Sequence, residues 1–129
     1  AVTVYATPVA DFSANNVCLG TPTNFINLTT INNGTLSYLW SFGNGITATD
    51  INPNYTYDSI SIYNTTLIAA SNDGCADTIT KQNVVFPYPI AGFAANIACY
   101  GQPVSFNNTT TIAYGNITYN WVYGDGDND

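Results

Sequence analysis

The chain has 129 residues and a net charge of −7, from eight Asp and a single Lys, with no Glu, Arg, His or Met. One cation cannot neutralise a phosphate backbone or hold an anionic bilayer, which excludes nucleic acid as a partner and argues against a membrane surface. There is no imidazole for proton transfer near neutral pH and no base to activate a Ser or Thr, so the chain reads as non-catalytic and without a required cofactor.

Residues 1–6 read as the last strand of a preceding unit. The spacing then predicts strands over 9–14, 23–29, 36–43, 55–57, 61–71 and 76–86, rich in Val, Ile, Thr, Tyr and Phe and interrupted by Gly, Pro, Asn and Asp. No segment carries a helical period, and no apolar run reaches the roughly 18 residues that would cross a bilayer. Pro87-Tyr88-Pro89 reads as a short stiff junction, because proline fixes φ and extends the residue before it. About seven short strands in some 80 residues predict an all-β sandwich.

Alternation assigns the faces. Tyr38, Trp40 and Phe42 share one face of their strand, and Ser37, Leu39 and Ser41 share the other. Tyr63, Thr65, Leu67 and Ala69 likewise share a face. The expected core is Trp40 with Phe12, Phe25, Tyr38, Phe42 and Leu67, and Trp121 holds the corresponding place further on. A sugar-stacking role for Trp40 is the competing reading.

The chain also repeats itself. Laying residues 1–48 over 82–129 without a gap gives 19 identities, including Cys18 on Cys99, Phe25 on Phe106 and Trp40 on Trp121. A period of 81 residues is long enough for each copy to bury its own core. The expected organisation is therefore 1–7 as the last strand of one copy, 8–86 as a complete sandwich, and 87–129 as the N-terminal half of another copy.

Three ordered motifs carry a family resemblance. They are Trp40-Ser41-Phe42-Gly43-Asn44-Gly45, then Asn52-Pro53-Asn54-Tyr55-Thr56-Tyr57, then the run from Ser61 to Gly74-Cys75. In this order they resemble the polycystic-kidney-disease (PKD) repeat family. Two departures stand out: the usual Gly before Tyr63 is displaced by Ser61-Ile62, and the usual turn Asp is Asn44, although Asp125 keeps it in the second copy. The resemblance implies immunoglobulin-like β-sandwich repeats in tandem. It also implies an extracellular, secreted setting of the kind found in giant cell-surface adhesins of gliding bacteria, which commonly leave by type IX secretion.

Within one copy Cys18 follows the first strand and Cys75 ends the long one, so a Cys18–Cys75 disulfide is expected in an oxidising compartment, with two buried free thiols as the alternative. Cys99 would then find its partner outside the chain, near position 156 (75 + 81). Asp125, Asp127 and Asp129 surround a Gly-bearing turn and form a candidate Ca²⁺ loop, although the matching stretch from Asn44 to Ala48 holds no acid. Asp58-Ser59-Ile60 and Asp77-Thr78-Ile79 resemble a bacterial O-glycosylation signal at Ser59 and Thr78. Asn27, Asn33, Asn54, Asn64, Asn107, Asn108 and Asn116 each open an N-x-T triplet, which would mark glycan acceptors in a eukaryotic secreted chain.

The main expectation is a structural role. Copies joined end to end would form a stalk or filament of a surface protein, holding a functional tip away from the cell. Partners would be neighbouring repeats of the same chain, other surface proteins or polysaccharide. The alternative is an accessory carbohydrate- or protein-binding module of a secreted hydrolase.

Overall fold

The computed structural model describes residues 1–126. The chain folds as two compact units, Ala1–Phe86 and Pro87–Asp129. Every regular element among the described residues is a strand. In the first unit these are β1 (Phe12–Ala14), β2 (Val17–Cys18), β3 (Thr23–Asn27), β4 (Leu36–Ser41), β5 (Thr47–Ala48), β6 (Asn54–Tyr55), β7 (Ser61–Ser71) and β8 (Ala76–Phe86). The second unit holds β9 (Phe93–Ala95) and β10 (Phe106–Asn108).

The first unit is built from a three-stranded sheet, β1-β3-β6, and a five-stranded sheet, β2-β8-β7-β4-β5. The frame of the larger sheet is the β7–β8 hairpin, registered from Ser61↔Val85 to Ala70↔Ala76. β-Branched residues favour these long strands, and Gly74 at φ +85° closes the turn after Asn72-Asp73. β4 runs antiparallel to β7, with Tyr38 opposite Ala69 and Trp40 opposite Leu67. β2 pairs in parallel with the far end of β8, Val17 opposite Val85 and Cys18 opposite Phe86.

Alternation decides what each sheet buries. On β7, Tyr63, Thr65, Leu67 and Ala69 are buried while Ile62, Asn64 and Ile68 face out. On β3, Thr23 and Phe25 are buried. Between the sheets the rings of Phe12 and Phe25 meet Trp40 at 5.1 and 5.6 Å. Trp40 is 0% exposed and its indole N–H donates to the Asp50 carbonyl at 2.9 Å. Tyr38 is half-buried against the same cluster. Each fully buried apolar side chain of this kind contributes about 1.5–3 kcal/mol.

Two features differ from the sequence expectation. Residues 1–6 form no strand. The matching stretch at the end of β8 is a strand because β7 lies beside it, and residues 1–6 have no such neighbour among the described residues. Two strands were not anticipated, β2 and β5, each only two residues long and too short to show alternation.

Candidate functional site

The family turn at Phe42–Ile46 organises the first unit. Phe42 N–H donates to the Ile46 carbonyl at 3.0 Å, closing a turn in which Gly43 and Gly45 take positive φ. Asn44 replaces the usual turn Asp, and its amide donates to the Tyr55 hydroxyl at 2.9 Å. Phe42 stacks on Tyr55 at 4.4 Å, Tyr55 meets Tyr57 edge-on at 4.8 Å, and Tyr57 stacks on Tyr63 at 3.9 Å. An aromatic ladder therefore runs from the core to the start of β7.

A buried polar group lies beside this ladder. The Tyr57 hydroxyl donates to the Phe42 carbonyl at 3.0 Å and sits 3.3 Å from Thr65 Oγ1, which donates to Asn83 Oδ1 at 2.7 Å. Burial raises the Tyr57 pKa, against the lowering effect of Thr65 and Asn83. Asn83 Nδ2 and Thr23 Oγ1 are buried without a protein partner. Sequence reading missed this group. The available signal was a polar residue, Asn83, at an inward position of β8 next to Val85.

The lone Lys is used inside the fold. Lys81 Nζ lies 2.6 Å from Asp11 Oδ1, donates to the Phe12 carbonyl at 2.6 Å, and sits 5.4 Å from the Phe12 ring centroid. The hydrogen bond from Lys81, followed by that from the Phe12 N–H, lowers the Asp11 pKa. A carboxyl with a depressed folded pKa stabilises the fold above its unfolded value of about 3.9, and that contribution is lost as pH falls through the folded value. The melting temperature is expected to stay level down to about pH 5 and then drop, and Lys81→Met should shrink the acid-side drop. Identical acid limbs in both proteins would show the pair to be idle. The effect is small because both side chains are about half exposed.

The cysteine pairing expected from the sequence is overturned. Cys18 lies opposite Phe86, the last residue of β8, whereas Cys75 immediately precedes Ala76, its first. A strand of 11 residues spans about 33 Å at ~3.3 Å per step, and a disulfide needs Cα atoms within about 7 Å. Cys18 and Cys75 therefore sit at opposite poles of the sandwich and cannot bond within one copy. Both are half-buried and Cys99 is exposed, and no two of the three are bonded to each other.

The other candidate residues are dispersed. Ser59 and Thr78 are exposed, and the Ser59 hydroxyl lies 2.8 Å from that of Tyr63. Asp127 and Asp129 of the candidate Ca²⁺ loop lie outside the described residues. Among the described residues no group of three or more His, Cys, Asp or Glu could hold a metal ion. Asn27 is unsuited to a glycan, because its Nδ2 is buried while its Oδ1 accepts from Thr29 N–H at 2.9 Å.

The second unit repeats the first in its details. The Ile90↔Thr111 bridge repeats Val9↔Thr30, and Phe93↔Asn108 repeats Phe12↔Asn27. Trp121 lies 5.6 Å from Phe93 and 5.8 Å from Phe106, close to the spacing of the Trp40 cluster. These rings are not covered: Phe93 is 62% exposed and Phe106 43%, and Trp121 is half-buried. A cleft is lined by Phe93, Asn108, Ile117, Tyr119 and Trp121, the counterparts of Phe12, Asn27, Leu36, Tyr38 and Trp40.

Two facing sheets closed over a Trp-centred core define an immunoglobulin-like β-sandwich. The PKD domain family matches residues 5–86, and the chain belongs to it. Over 83 residues the chain is 34% identical to "Pre-pro-metalloprotease PrtV" of Vibrio cholerae serotype O1. That match covers 64% of this chain and 9% of that protein, so the chain spans about a tenth of the relative's length. Among solved structures, the PKD1 domain from the Vibrio cholerae metalloprotease PrtV is 32% identical with a TM-score of 0.57, covering 61% of this chain and 96% of that one. The PKD1 domain of Vibrio anguillarum Epp is 29% identical with a TM-score of 0.57, covering 61% and 93%. A structure described for carbohydrate-binding modules of the β-sandwich superfamily has a TM-score of 0.61 at 16% identity, covering 78% and 52%, a likeness of fold alone.

Proposed function

We propose that the chain is a non-catalytic accessory segment of an exported protein, attached to a hydrolase whose catalytic domain lies elsewhere in the same polypeptide. The observation that carries this reading is the 34% identity to part of a pre-pro-metalloprotease. The Trp40 indole is buried and the rings of Phe42, Tyr57 and Tyr63 with it, so the module acts through its outer surface and by setting distance and orientation. An adjoining carbohydrate or protein would be its partner.

A second reading, a stalk of many copies spacing a functional tip from a cell surface, is supported by the 19 identities at an offset of 81 residues and by the repeated geometry around Trp121. Both readings take residues 87–129 as the start of a further PKD copy, whose open face the equivalents of β7 and β8 would close. Sequencing the natural polypeptide in both directions separates them. A hydrolase domain beside one or a few copies is the expected result. A long run of further copies without one would replace the accessory reading by the stalk.

A further inference from the structure

The larger sheet of the first unit keeps one long edge open. β8 pairs with β7 from Ala76 to Val85, but on its other side β2 covers only Val85 and Phe86. On that side Asn16 Oδ1 accepts from Val84 N–H at 2.8 Å, and the Phe86 carbonyl accepts from Leu19 N–H at 2.9 Å. Backbone groups alternate along a strand, so the N–H and C=O of Ala76, Thr78, Thr80 and Gln82 point the same way. All four residues are exposed, and no strand among the described residues pairs with them on that side. An edge of this kind is a template for a further strand, which a lysine ordinarily discourages. Lys81 is the only lysine in the chain, and Asp77 stands at the mirror position about Ile79.

We propose that this edge pairs with itself: β8 of one molecule lies antiparallel to β8 of a second copy of the chain, about a two-fold axis at Ile79. Thr78 then faces Thr80 of the second copy and Ala76 faces its Gln82, each pair exchanging both backbone hydrogen bonds through the outward groups. Lys81 faces Asp77 of the second copy, and by symmetry Asp77 faces its Lys81. These are the closely spaced, non-hydrogen-bonded positions, where opposite charges support the ladder. Both side chains can take the extra contact. Lys81 uses two of its three donors, on Asp11 and on the Phe12 carbonyl, and Asp77 uses Oδ2 on the Ala10 N–H. Ile79, half-buried against the core, meets its own counterpart on the axis. On the outer face Thr78 and Thr80 of the two copies extend the row in which the Thr66 and Thr80 hydroxyls lie 2.8 Å apart. A slip of two residues in either direction separates both ion pairs, so charge fixes this register. The open stretch ends where Asn16 caps Val84, just beyond the residues that pair. Pairing over Ala76–Gln82 is short, so the dimer is weak and grows with concentration. The inference stands whether the longer polypeptide is a hydrolase or a stalk.

Sedimentation equilibrium of the 129-residue chain, carried up to about 1 mM, reads the association. The unchanged chain is expected to dimerise. Asp77→Lys sets lysine against lysine and Lys81→Asp sets aspartate against aspartate, so each variant alone should associate about tenfold more weakly or not at all. An equimolar mixture of the two should dimerise again, because every charged position then faces its opposite. Circular dichroism establishes that each variant is folded. Where one is not, carbodiimide coupling of the unchanged chain decides, since it joins an amine only to a carboxylate in contact with it. Lys81 and Asp77 of one strand lie about 13 Å apart, at ~3.3 Å per residue, too far to couple within one molecule. A Lys81–Asp77 link in a species of twice 13.8 kDa is therefore the mark of the paired edge. The Lys81–Asp11 link is expected within each molecule as the internal reference. A chain still monomeric at about 1 mM overturns the proposal. So does a dimer that Asp77→Lys leaves unchanged, which would place the contact on another surface. A mixture of folded variants that stays monomeric, or a coupled dimer without the Lys81–Asp77 link, overturns it equally.

Discussion

Trp40→Ala is expected to unfold the first unit or leave it barely stable. The substitution removes a side chain that is 0% exposed and reaches from β4 of the larger sheet onto Phe12 and Phe25 of the smaller one. Truncating a buried Trp costs about 3–5 kcal/mol, from lost transfer energy and the cavity left behind. A domain of this size has roughly 4–12 kcal/mol in total. At about 4–8 °C per kcal/mol, the melting temperature should fall by roughly 15 °C or more. Trp40→Phe gives a graded control. It keeps much of the packing but leaves the Asp50 carbonyl without the indole N–H, so its cost should be clearly smaller. Thermal unfolding followed by circular dichroism reads both variants. A melting temperature unchanged in Trp40→Ala would mean that the indole is accessible, and would restore the sugar-stacking role.

The depth of Trp40 was legible because β4 and β7 are long enough to alternate. The bounds 61–71 and 76–86 anticipated from sequence coincide with β7 and β8. Short elements carry no such signal. β2 is two residues long and exists only because the end of β8 offers it a parallel partner. That single pairing also decides the cysteines. Chain order places Cys18 after the first strand and Cys75 after the long one, but which pole each occupies depends on the partner chosen by Val17-Cys18, which local pattern does not encode. The Tyr57–Thr65–Asn83 group was illegible for a related reason. Its members come from different segments and meet only when the two sheets close. Trp121 shows the converse: its ring neighbours could be read from the repeat, while its exposure follows from the lack of counterparts to β7 and β8 among the described residues.

Gly43→Ala should be the most damaging single methyl added to the turn, and Gly45→Ala separates the causes. Both glycines have positive φ, +85° and +90°, a conformation that costs an L-residue roughly 1–2 kcal/mol. They differ in surroundings. A Cβ on Gly43 would lie 2.8 Å from the Asn64 carbonyl oxygen and 3.1 Å from its nitrogen, whereas a Cβ on Gly45 meets nothing within 4 Å. Asn64 belongs to β7, held on one side by β8 through Gln82 and continuous with the stretch paired to β4. Its backbone cannot withdraw without disturbing that ladder. The turn must move instead, taking Phe42 away from Tyr55 and from the Tyr57 hydroxyl. Gly45→Ala should therefore cost about 1–2 kcal/mol and Gly43→Ala about 2–4 kcal/mol, the conformational term plus a comparable strain. Denaturant unfolding of the two variants measures the difference. Equal losses would show that the close approach of the turn to β7 is unimportant and that φ alone selects glycine there. A larger loss at Gly43 would identify the turn's contact with β7 as the reason the motif holds glycine directly after Phe42.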